Sequence, residues 1–372
     1  MIGWRIRRKL AAARHARRRR GPWRAPFSAD ARRRLLILSL DHRIPQSQIF
    51  PFHFFAEAIR ARFGTEIREV EAGAYLAAGG PLPKGADTVC FQTAFDIGDE
   101  ALGRLVETIR RRNPGARLVY LDWFAPTDLR LAHRVGPLVD IYVTKHLLRD
   151  RARYAAPVEG DTTLMEHYGR RFGLGHPTTR FPIPPGFWDK LLLGPSFVTA
   201  DFILPALARP GARPPAGARP IDLHARLATE GSPWYAMMRA ECAAAVTALG
   251  DVVCRTGTGI GHPRFLSELR RSKICFSPFG YGEVCWRDFE AVLCGAVLLK
   301  QDMSHVATDP DIFVAGETYV PLRWDLADFE DRVRWLMADA AARRRIAGAA
   351  FERLADYVRS ARFLDQMAPV LG

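Results

Sequence analysis

Residues 272–300 read SKICFSPFGYGEVCWRDFEAVLCGAVLLK, and the organisation of this stretch indicates the fold of the chain. An apolar run comes first, followed by a turn with Gly280 and Gly282. A helical stretch then ends at Gly295 and leads into a second apolar run. Short apolar runs on either side of a helix are typical of a β-α-β unit in a parallel sheet. We therefore predict strands at 274–276 and 296–299, with a helix between them.

The glycine turn before this helix has the properties of a phosphate site. Backbone N–H groups at a helix N-terminus favour phosphate oxygens, and the helix dipole favours negative charge there. Arg287 and Glu290 are three residues apart, so they share one face of the helix. A guanidinium suits a diphosphate, and a carboxylate accepts both hydroxyls of a ribose or sugar. The alternative interpretation is a solvated ion pair on the helix surface.

The segment resembles the donor-binding segment of GT-B glycosyltransferases, most closely the exostosin-like and glycosyltransferase family 1 C-terminal domains. Their pattern is F-x-P-x-G, then R-x-x-E-A, then a glycine and a hydrophobic strand. In this chain it is carried by Phe276, Pro278, Gly280, Arg287, Glu290, Ala291 and Gly295.

The resemblance implies that Glu290 holds the nucleotide ribose and that Arg287 faces the diphosphate. Many retaining GT-B enzymes have two glutamates separated by seven residues, whereas six separate Glu283 from Glu290 here. The donor-binding residues expected in this chain are Arg226, Gly280, Tyr281, Gly282, Glu283, Arg287 and Glu290.

Outside this segment, apolar runs and helical patterns alternate from Leu35 onward, which is typical of parallel α/β sheets. Residues 209–220, RPGARPPAGARP, interrupt the alternation because proline and glycine neither pair in a sheet nor continue a helix. We predict an α/β chain with two Rossmann-like domains facing across a cleft, the GT-B fold. The predicted parts are a basic arm (1–33), an acceptor-side domain (34–208), the linker (209–220) and a donor-side domain with a terminal helix (221–372).

One predicted helix is opened by Pro51 and closed by Gly64, with Phe52, Phe55 and Ile59 among the residues on its apolar face. Before it, Asp41 and His42 follow the first predicted strand, Leu35–Leu40. Inverting GT-B enzymes need a base there to remove a proton from the acceptor hydroxyl. His42 suits this role by its ordinary pKa, and Asp41 is the second candidate. The alternative is an ordinary loop histidine.

The net charge of +14 is concentrated at the N-terminus. Residues 1–34 contain thirteen Arg or Lys and one acid, which leaves only +2 on the rest of the chain. The arm is either a solvated, disordered segment or an attachment to anionic lipid through an amphipathic helix. No stretch has the ~20 apolar residues that cross a bilayer, and the six cysteines show no metal spacing. We expect reduced core cysteines in a cytoplasmic protein, peripheral at the inner face of the membrane.

The leading hypothesis is an enzyme that moves a sugar from a nucleotide diphosphate sugar to a hydroxyl of a glycan or lipid-linked acceptor, without a metal or other cofactor. Two alternatives remain. One is a polyanion-binding or membrane-binding protein that acts through residues 1–33, although the nearly neutral remainder disfavours nucleic acid. The other is a sugar-nucleotide epimerase-like relative, because a fold does not determine a reaction.

Overall fold

The computed structural model describes residues 24–77 and 82–372, which are built around two parallel sheets. The first sheet has six strands, in the spatial order Thr65–Glu71 (β2), Arg33–Ser39 (β1), Thr88–Phe91 (β3), Arg117–Asp122 (β4), Ile141–Thr144 (β5) and Leu191–Leu193 (β9). The second has five, in the order Cys254–Arg255 (β11), Ile221–His224 (β10), Ser272–Phe276 (β12), Val297–Gln301 (β13) and Val320–Leu322 (β15). Each sheet with its helices is called a unit below.

Two short antiparallel pairs complete the strands. Val158–Glu159 (β7) pairs with Thr178–Thr179 (β8) inside the first unit. His146–Leu148 (β6) pairs with Val306–Thr308 (β14), which joins the two units.

Helices cover the sheets, as expected for parallel strands that are buried on both faces. Those of the first unit are Arg43–Phe54 (α1), Ala56–Phe63 (α2), Ala72–Leu76 (α3), Asp99–Arg112 (α4), Ala132–Val135 (α5), Thr163–Arg171 (α6), Phe187–Lys190 (α7) and Leu204–Leu207 (α8). The later ones are Pro233–Ala248 (α9), His262–Arg270 (α10), Trp286–Leu293 (α11), Phe329–Ala338 (α12), Ala340–Arg359 (α13), Arg362–Gln366 (α14) and Ala368–Leu371 (α15). Short 3₁₀ turns lie at Gly136–Leu138, Arg151–Ala155 and Phe197–Thr199.

The helix predicted to open at Pro51 begins earlier, at Arg43, so that prediction is wrong. His42 precedes the helix, and its side chain accepts the Ile44 N–H. Pro51 lies inside the helix, where its missing N–H leaves a carbonyl four residues earlier without an intrahelical donor. That carbonyl belongs to Ser47, and it accepts the Thr199 hydroxyl at 2.8 Å instead. A contact with a distant residue therefore stabilises a helix that the local sequence disfavours.

The last two helices pack on the first unit. The Thr65 hydroxyl at the start of β2 donates to the Leu371 carbonyl at 2.7 Å. The ring of Phe363 lies 5.2 Å from that of Phe52 and 5.6 Å from that of Phe55. The last two helices therefore pack on the first unit, although they follow the second unit in the sequence.

The predicted arm falls mostly on residues 1–23, which lie outside the described residues. The described part of the arm, residues 24–33, packs beside β2, where the Ser28 hydroxyl and N–H donate to Glu66 at 3.0 and 2.9 Å. No helix in residues 24–77 and 82–372 has the length and apolar character needed to span a bilayer. All six cysteines are free thiols, as predicted, and four of them are buried.

Candidate functional site

The helix Trp286–Leu293 starts at a buried polar network that fixes the end of the glycine turn. The backbone N–H of Cys285 donates to Asp288 at 2.8 Å. Asp288 also accepts from the Ser277 hydroxyl at 2.6 Å and lies 3.3 Å from the Lys300 ammonium. Because Asp288, Ser277 and Lys300 are all fully buried, the start of the helix is held from three sides.

The glycine turn rests directly on the first unit. A β-carbon added at Gly282 would lie 1.9 Å from the carbonyl oxygen of Ala125, so only glycine fits there. The Gly280 N–H donates to the Gly282 carbonyl at 3.0 Å and is already used within the turn. The ring of Tyr281 stacks on that of Tyr235 at 4.5 Å, next to the start of α9. These contacts fix the turn between the two units.

Glu283 is buried at the contact between the units. Its carboxylate accepts the Thr127 hydroxyl at 2.5 Å, and its other oxygen lies 3.7 Å from Nε2 of His305. Burial alone would raise the pKa of Glu283, but hydrogen bonding and charge from His305, Thr127 and His146 bring the pKa below its ordinary value. Glu283 is therefore ionised near neutral pH, and it links the turn to the first unit.

Arg287 and Glu290 do not pair with each other. An oxygen of Glu290 lies 2.5 Å from Nε2 of His262, at the start of α10. Arg287 donates to the backbone carbonyl of Arg226 at 2.7 Å, and its guanidinium lies 5.9 Å from the ring centre of Phe265. The structure therefore does not contain the surface ion pair between Arg287 and Glu290 that was the alternative interpretation of the sequence. Glu290 is only 6% exposed.

Arg226 is held within the second unit. Its guanidinium donates to both oxygens of Glu268, at 2.6 and 3.1 Å, and to the carbonyl of Thr256 at 2.6 Å. Most of its positive charge is therefore matched inside the protein, and its carbonyl positions Arg287.

Buried donors near this helix have no acceptor among the described residues. They include Nζ of Lys145, Nε1 of Trp286 and Nε of Arg287. The Lys145 ammonium lies 4.2 Å from the ring centre of Phe197, and that ring lies 5.0 Å from Trp286. An unmade buried hydrogen bond costs about 1–3 kcal/mol, so a ligand with acceptor oxygens would recover this energy.

Lys145 and its neighbour His146 were not predicted as site residues. They follow β5 at the carboxyl end of the first sheet, where ligands bind in α/β folds. Burial lowers the pKa of Lys145 to about 7, although Asp122 at the end of β4 opposes this. Burial, with the charge of Lys145, lowers the pKa of His146 to about 4. The signal in the sequence was a lysine directly after an apolar strand.

The acceptor-side candidates Asp41 and His42 follow β1 and are exposed. Nδ1 of His42 accepts the Ile44 N–H at 3.4 Å, a long contact. The His42 ring lies 6.4 Å from that of Trp123, which follows β4. Both candidates therefore lie at the carboxyl edge of the first sheet, as predicted from their position after the first strand.

A cavity of about 720 Å³, the interface cavity, opens between the units. Its walls include His167 of the first unit and His305 and Trp324 of the second. Within the described residues, no group of three or more His, Cys, Asp or Glu side chains could hold a metal. Asp309 and Asp311, a pair of nearby carboxylates, do not share a partner: Asp309 pairs with Arg362, and Asp311 pairs with Arg149.

Residues 221–368 match the model of a family described as glycosyl transferase-like. No curated protein matches the chain. An α-glucosyltransferase solved with UDP and a 13-mer DNA containing a HMU base aligns over 91% of this chain and 98% of its own, with 10% identity and a TM-score of 0.50.

An α-glucosyltransferase in complex with UDP aligns over 91% of this chain and 99% of its own, with 11% identity and a TM-score of 0.46. TarM aligns over 87% and 57%, with 7% identity and a TM-score of 0.44. The match at 0.50 is a likeness of fold, and it confirms the predicted architecture of two Rossmann-like units facing across a cleft.

Proposed function

We propose that the chain is a glycosyltransferase that takes its sugar from a nucleotide sugar, and that Arg287 and Glu290 hold this donor between the two units; the family match and the GT-B fold support the proposal. The observation that supports this assignment most is the group of buried donors without acceptors around α11. Three of them, on Lys145, Trp286 and Arg287, are N–H groups that donate only. A diphosphate supplies the acceptor oxygens that they lack.

Glu290 is suited to the ribose. One of its oxygens contacts His262 at 2.5 Å, and no described residue donates to the other oxygen. That second oxygen accepts the ribose hydroxyls, while His262 fixes the orientation of the carboxylate. The role of Arg287 is electrostatic: negative charge builds on the diphosphate as the sugar departs, and a fixed guanidinium stabilises that charge more in the transition state than in the ground state.

The acceptor hydroxyl enters from the first unit in this proposal, where Asp41 and His42 are the candidate bases. While Nδ1 of His42 accepts the Ile44 N–H, the neutral ring carries its proton on Nε2. The contact is long at 3.4 Å, so its release frees a nitrogen to take the acceptor proton. Asp41 is the carboxylate next to it. The reaction uses side-chain cations in place of a metal ion.

The charge distribution supports a proposed setting for the reaction at an anionic membrane surface. Residues 1–34 have a net charge of +12 and the remainder +2. Polybasic segments bind anionic lipid surfaces. The arm holds the enzyme at the inner face of the membrane, where glycans or lipid-linked glycans are the acceptors. Deletion of residues 1–23, which leaves the part of the arm that packs beside β2, is expected to reduce vesicle binding and to leave donor turnover intact.

The test of the function is release of nucleoside diphosphate from UDP-, GDP-, ADP- and dTDP-sugars, with transfer of the labelled sugar to a second molecule. Arg287→Met is expected to lower the rate at least ~100-fold, the size of effect seen when one charge-stabilising donor is removed. Arg332→Met is the control, because Arg332 is a half-exposed helix arginine that pairs with Asp328. An epimerase would interconvert the nucleotide sugar without releasing the diphosphate, and that result would refute the proposal.

A further inference from the structure

A cavity of about 370 Å³, the amino-edge cavity, lies at the edge of the first sheet where its strands begin. Its walls include Arg33 of β1, Thr88 of β3 and Arg117 of β4, together with residues 370–372. β1 is seven residues long, so this edge lies roughly 20 Å from the carboxyl edge that holds Asp41 and His42. The amino-edge cavity is therefore separate from the proposed reaction site.

Two arginines of this cavity project from the same face of the sheet. Thr88 is in register with Leu35 of β1 and with Arg117 of β4. Residues in register on parallel strands share a face, and so do residues two apart on one strand. Arg33 is two residues before Leu35, and β3 lies between β1 and β4. Arg33 and Arg117 therefore flank the Thr88 position on one face.

Positive charge dominates the lining of the amino-edge cavity. It contains four arginines, Arg32, Arg33, Arg34 and Arg117, and one acidic side chain, Asp87, which leaves an excess of +3. Within residues 24–77 and 82–372, none of these four guanidinium groups forms an ion pair with an Asp or Glu carboxylate. The Asp87 carboxylate instead accepts the backbone N–H of Arg34 at 2.8 Å.

The guanidinium groups also have few neutral partners. Nε of Arg34 is buried and has no acceptor in the described part of the chain. Arg117 donates to the Gly372 carbonyl at 2.9 Å. Other surface arginines are matched by carboxylates, since three of them each pair with an aspartate: Arg62, Arg334 and Arg362. A concave set of unmatched like charges is unfavourable by itself, and a bound anion would relieve the repulsion.

A phosphate monoester has the chemistry that fits this lining. It carries a charge of about −1.5 to −2 at neutral pH and three strong acceptor oxygens. Guanidinium groups bind such oxygens in pairs, through two parallel N–H bonds. A diester carries one charge, and a carboxylate has two oxygens, so both match an excess of +3 less well. A volume of about 370 Å³ holds a phosphate and a small group attached to it.

We infer that the amino-edge cavity is a second anion site, which binds a phosphate monoester group between Arg33 and Arg117. Arg34 adds a third guanidinium at the start of β1. Two sources present this group: a small soluble phosphate ester, and the monoester headgroup of a lipid such as phosphatidic acid. The inference goes beyond the proposed function and does not depend on it, because this cavity shares no residue with the proposed donor and acceptor groups.

The test for a soluble ligand is the melting temperature of the full chain with about 10 mM glycerol 3-phosphate, compared with sodium chloride of equal ionic strength. The ester is expected to raise the melting temperature by at least ~2 °C. Arg33→Gln is expected to remove most of this shift; the Arg33 side chain bonds to no described residue, so the variant keeps the fold. Arg344→Gln makes the same charge change on an exposed part of α13 and should respond like the parent.

The test for a lipid source is flotation with phosphatidylcholine vesicles that contain phosphatidic acid or phosphatidylglycerol at matched surface charge. Residues 1–34 attract both kinds of vesicle, whereas the amino-edge cavity prefers the monoester. A lipid source predicts at least ~5-fold stronger binding to phosphatidic acid. The double variant Arg33→Gln/Arg117→Gln should lose this preference. A soluble source predicts the thermal shift without any preference between vesicles.

Two results would overturn the inference. One is a thermal shift no larger than that with sodium chloride, together with equal binding to both vesicles. The other is a response that survives in Arg33→Gln/Arg117→Gln, each shift being taken from the variant's own melting temperature. If that response disappears in Arg287→Met, the phosphate binds at the proposed donor site instead. Failure of the proposed function is distinct, because it would appear as no nucleoside diphosphate release by the parent protein, whatever the phosphate ester does.

Discussion

Replacing Lys145 with methionine is expected to make the protein more stable and less active. The ammonium is fully buried and has no hydrogen-bond acceptor among the described residues. Among the described residues, two groups compensate this charge: the ring of Phe197, 4.2 Å away, and the carboxylate of Asp122. Burial lowers the pKa from its ordinary value of 10.5 to about 7. Methionine has a similar length and no charge, so the substitution conserves volume.

The size of the effect follows from the two pKa values. One pKa unit corresponds to about 1.4 kcal/mol, so the charged amine destabilises the folded protein by about 5 kcal/mol at a pH below 7. The sign follows from proton binding: between pH 7 and 10.5 the unfolded chain holds more protons at this lysine, so stability rises with pH. The penalty is fully present below pH 7 and absent above 10.5. At pH 9 about half of it remains, or ~2 kcal/mol.

The assay is urea unfolding of both proteins at pH 6.5 and pH 9. Lys145→Met is expected to be more stable by about 3–4 kcal/mol at pH 6.5, after a packing cost of ~1 kcal/mol, and by about 1 kcal/mol at pH 9, where the same packing cost is subtracted from the smaller charge penalty. Lys300→Met is the control, because it leaves Asp288 buried without its partner and should lower stability by about 3–5 kcal/mol. Equal stability of Lys145→Met and the parent protein at both pH values would refute the reasoning. Sugar transfer by Lys145→Met is expected to fall, because the substitution removes a buried ammonium that we propose binds the diphosphate, and such a group lowers stability in exchange for activity.

Three further predictions concern the contact between the units. Gly282→Ala would place a β-carbon 1.9 Å from the Ala125 carbonyl oxygen, so it should lower the unfolding free energy by at least ~2 kcal/mol and remove most of the transfer activity. Gly280→Ala is the control, because its added β-carbon would meet its nearest atom at 3.4 Å and should not lower the stability. Equal melting temperatures of the two variants would contradict this prediction. Thr127→Val leaves a buried oxygen of Glu283 without its donor, so it should lower the unfolding free energy by about 1–3 kcal/mol at pH 7, measured by urea titration. An unchanged unfolding free energy would show that the Thr127–Glu283 hydrogen bond is not formed. Because the pKa of Glu283 is below its ordinary value of 4.5, its ionised form stabilises the fold above pH 4.5, and this contribution is lost as the pH falls through the lower pKa of the folded protein. Glu283→Gln should therefore reduce the fall of the melting temperature at acid pH. An unchanged fall would contradict the role of Glu283 in the contact between the units.

The sheets were predictable where strands are buried on both faces. The runs LLIL at 35–38 and KICF at 273–276 are almost continuously apolar, and each is a central strand. The edge strand Thr65–Glu71 escaped prediction because TEIREVE contains three glutamates and an arginine. One of them, Glu69, is fully buried, and its carboxylate lies 2.8 Å from Nε2 of His53. A buried carboxylate whose partner lies 16 residues away has no local signature.

The same limit applies to the candidate site. Glu283, Arg287 and Glu290 could be selected because they lie in one short patterned segment. Their partners could not: His262 is 28 residues from Glu290, and Thr127 is 156 residues from Glu283. The first contact joins two helices of the second unit and the other crosses between the units, and no periodicity in the sequence records either one.

The most direct test of the central claim is calorimetric titration of the protein with UDP, GDP, ADP and dTDP, repeated with Glu290→Gln. At least one diphosphate is expected to bind the parent protein, and Glu290→Gln is expected to weaken that binding at least tenfold, because the amide offers one acceptor where the carboxylate offers two. Glu330→Gln, an exposed glutamate that pairs with Arg334, serves as the control and should bind like the parent. Undiminished binding of the same diphosphate to Glu290→Gln would contradict the account.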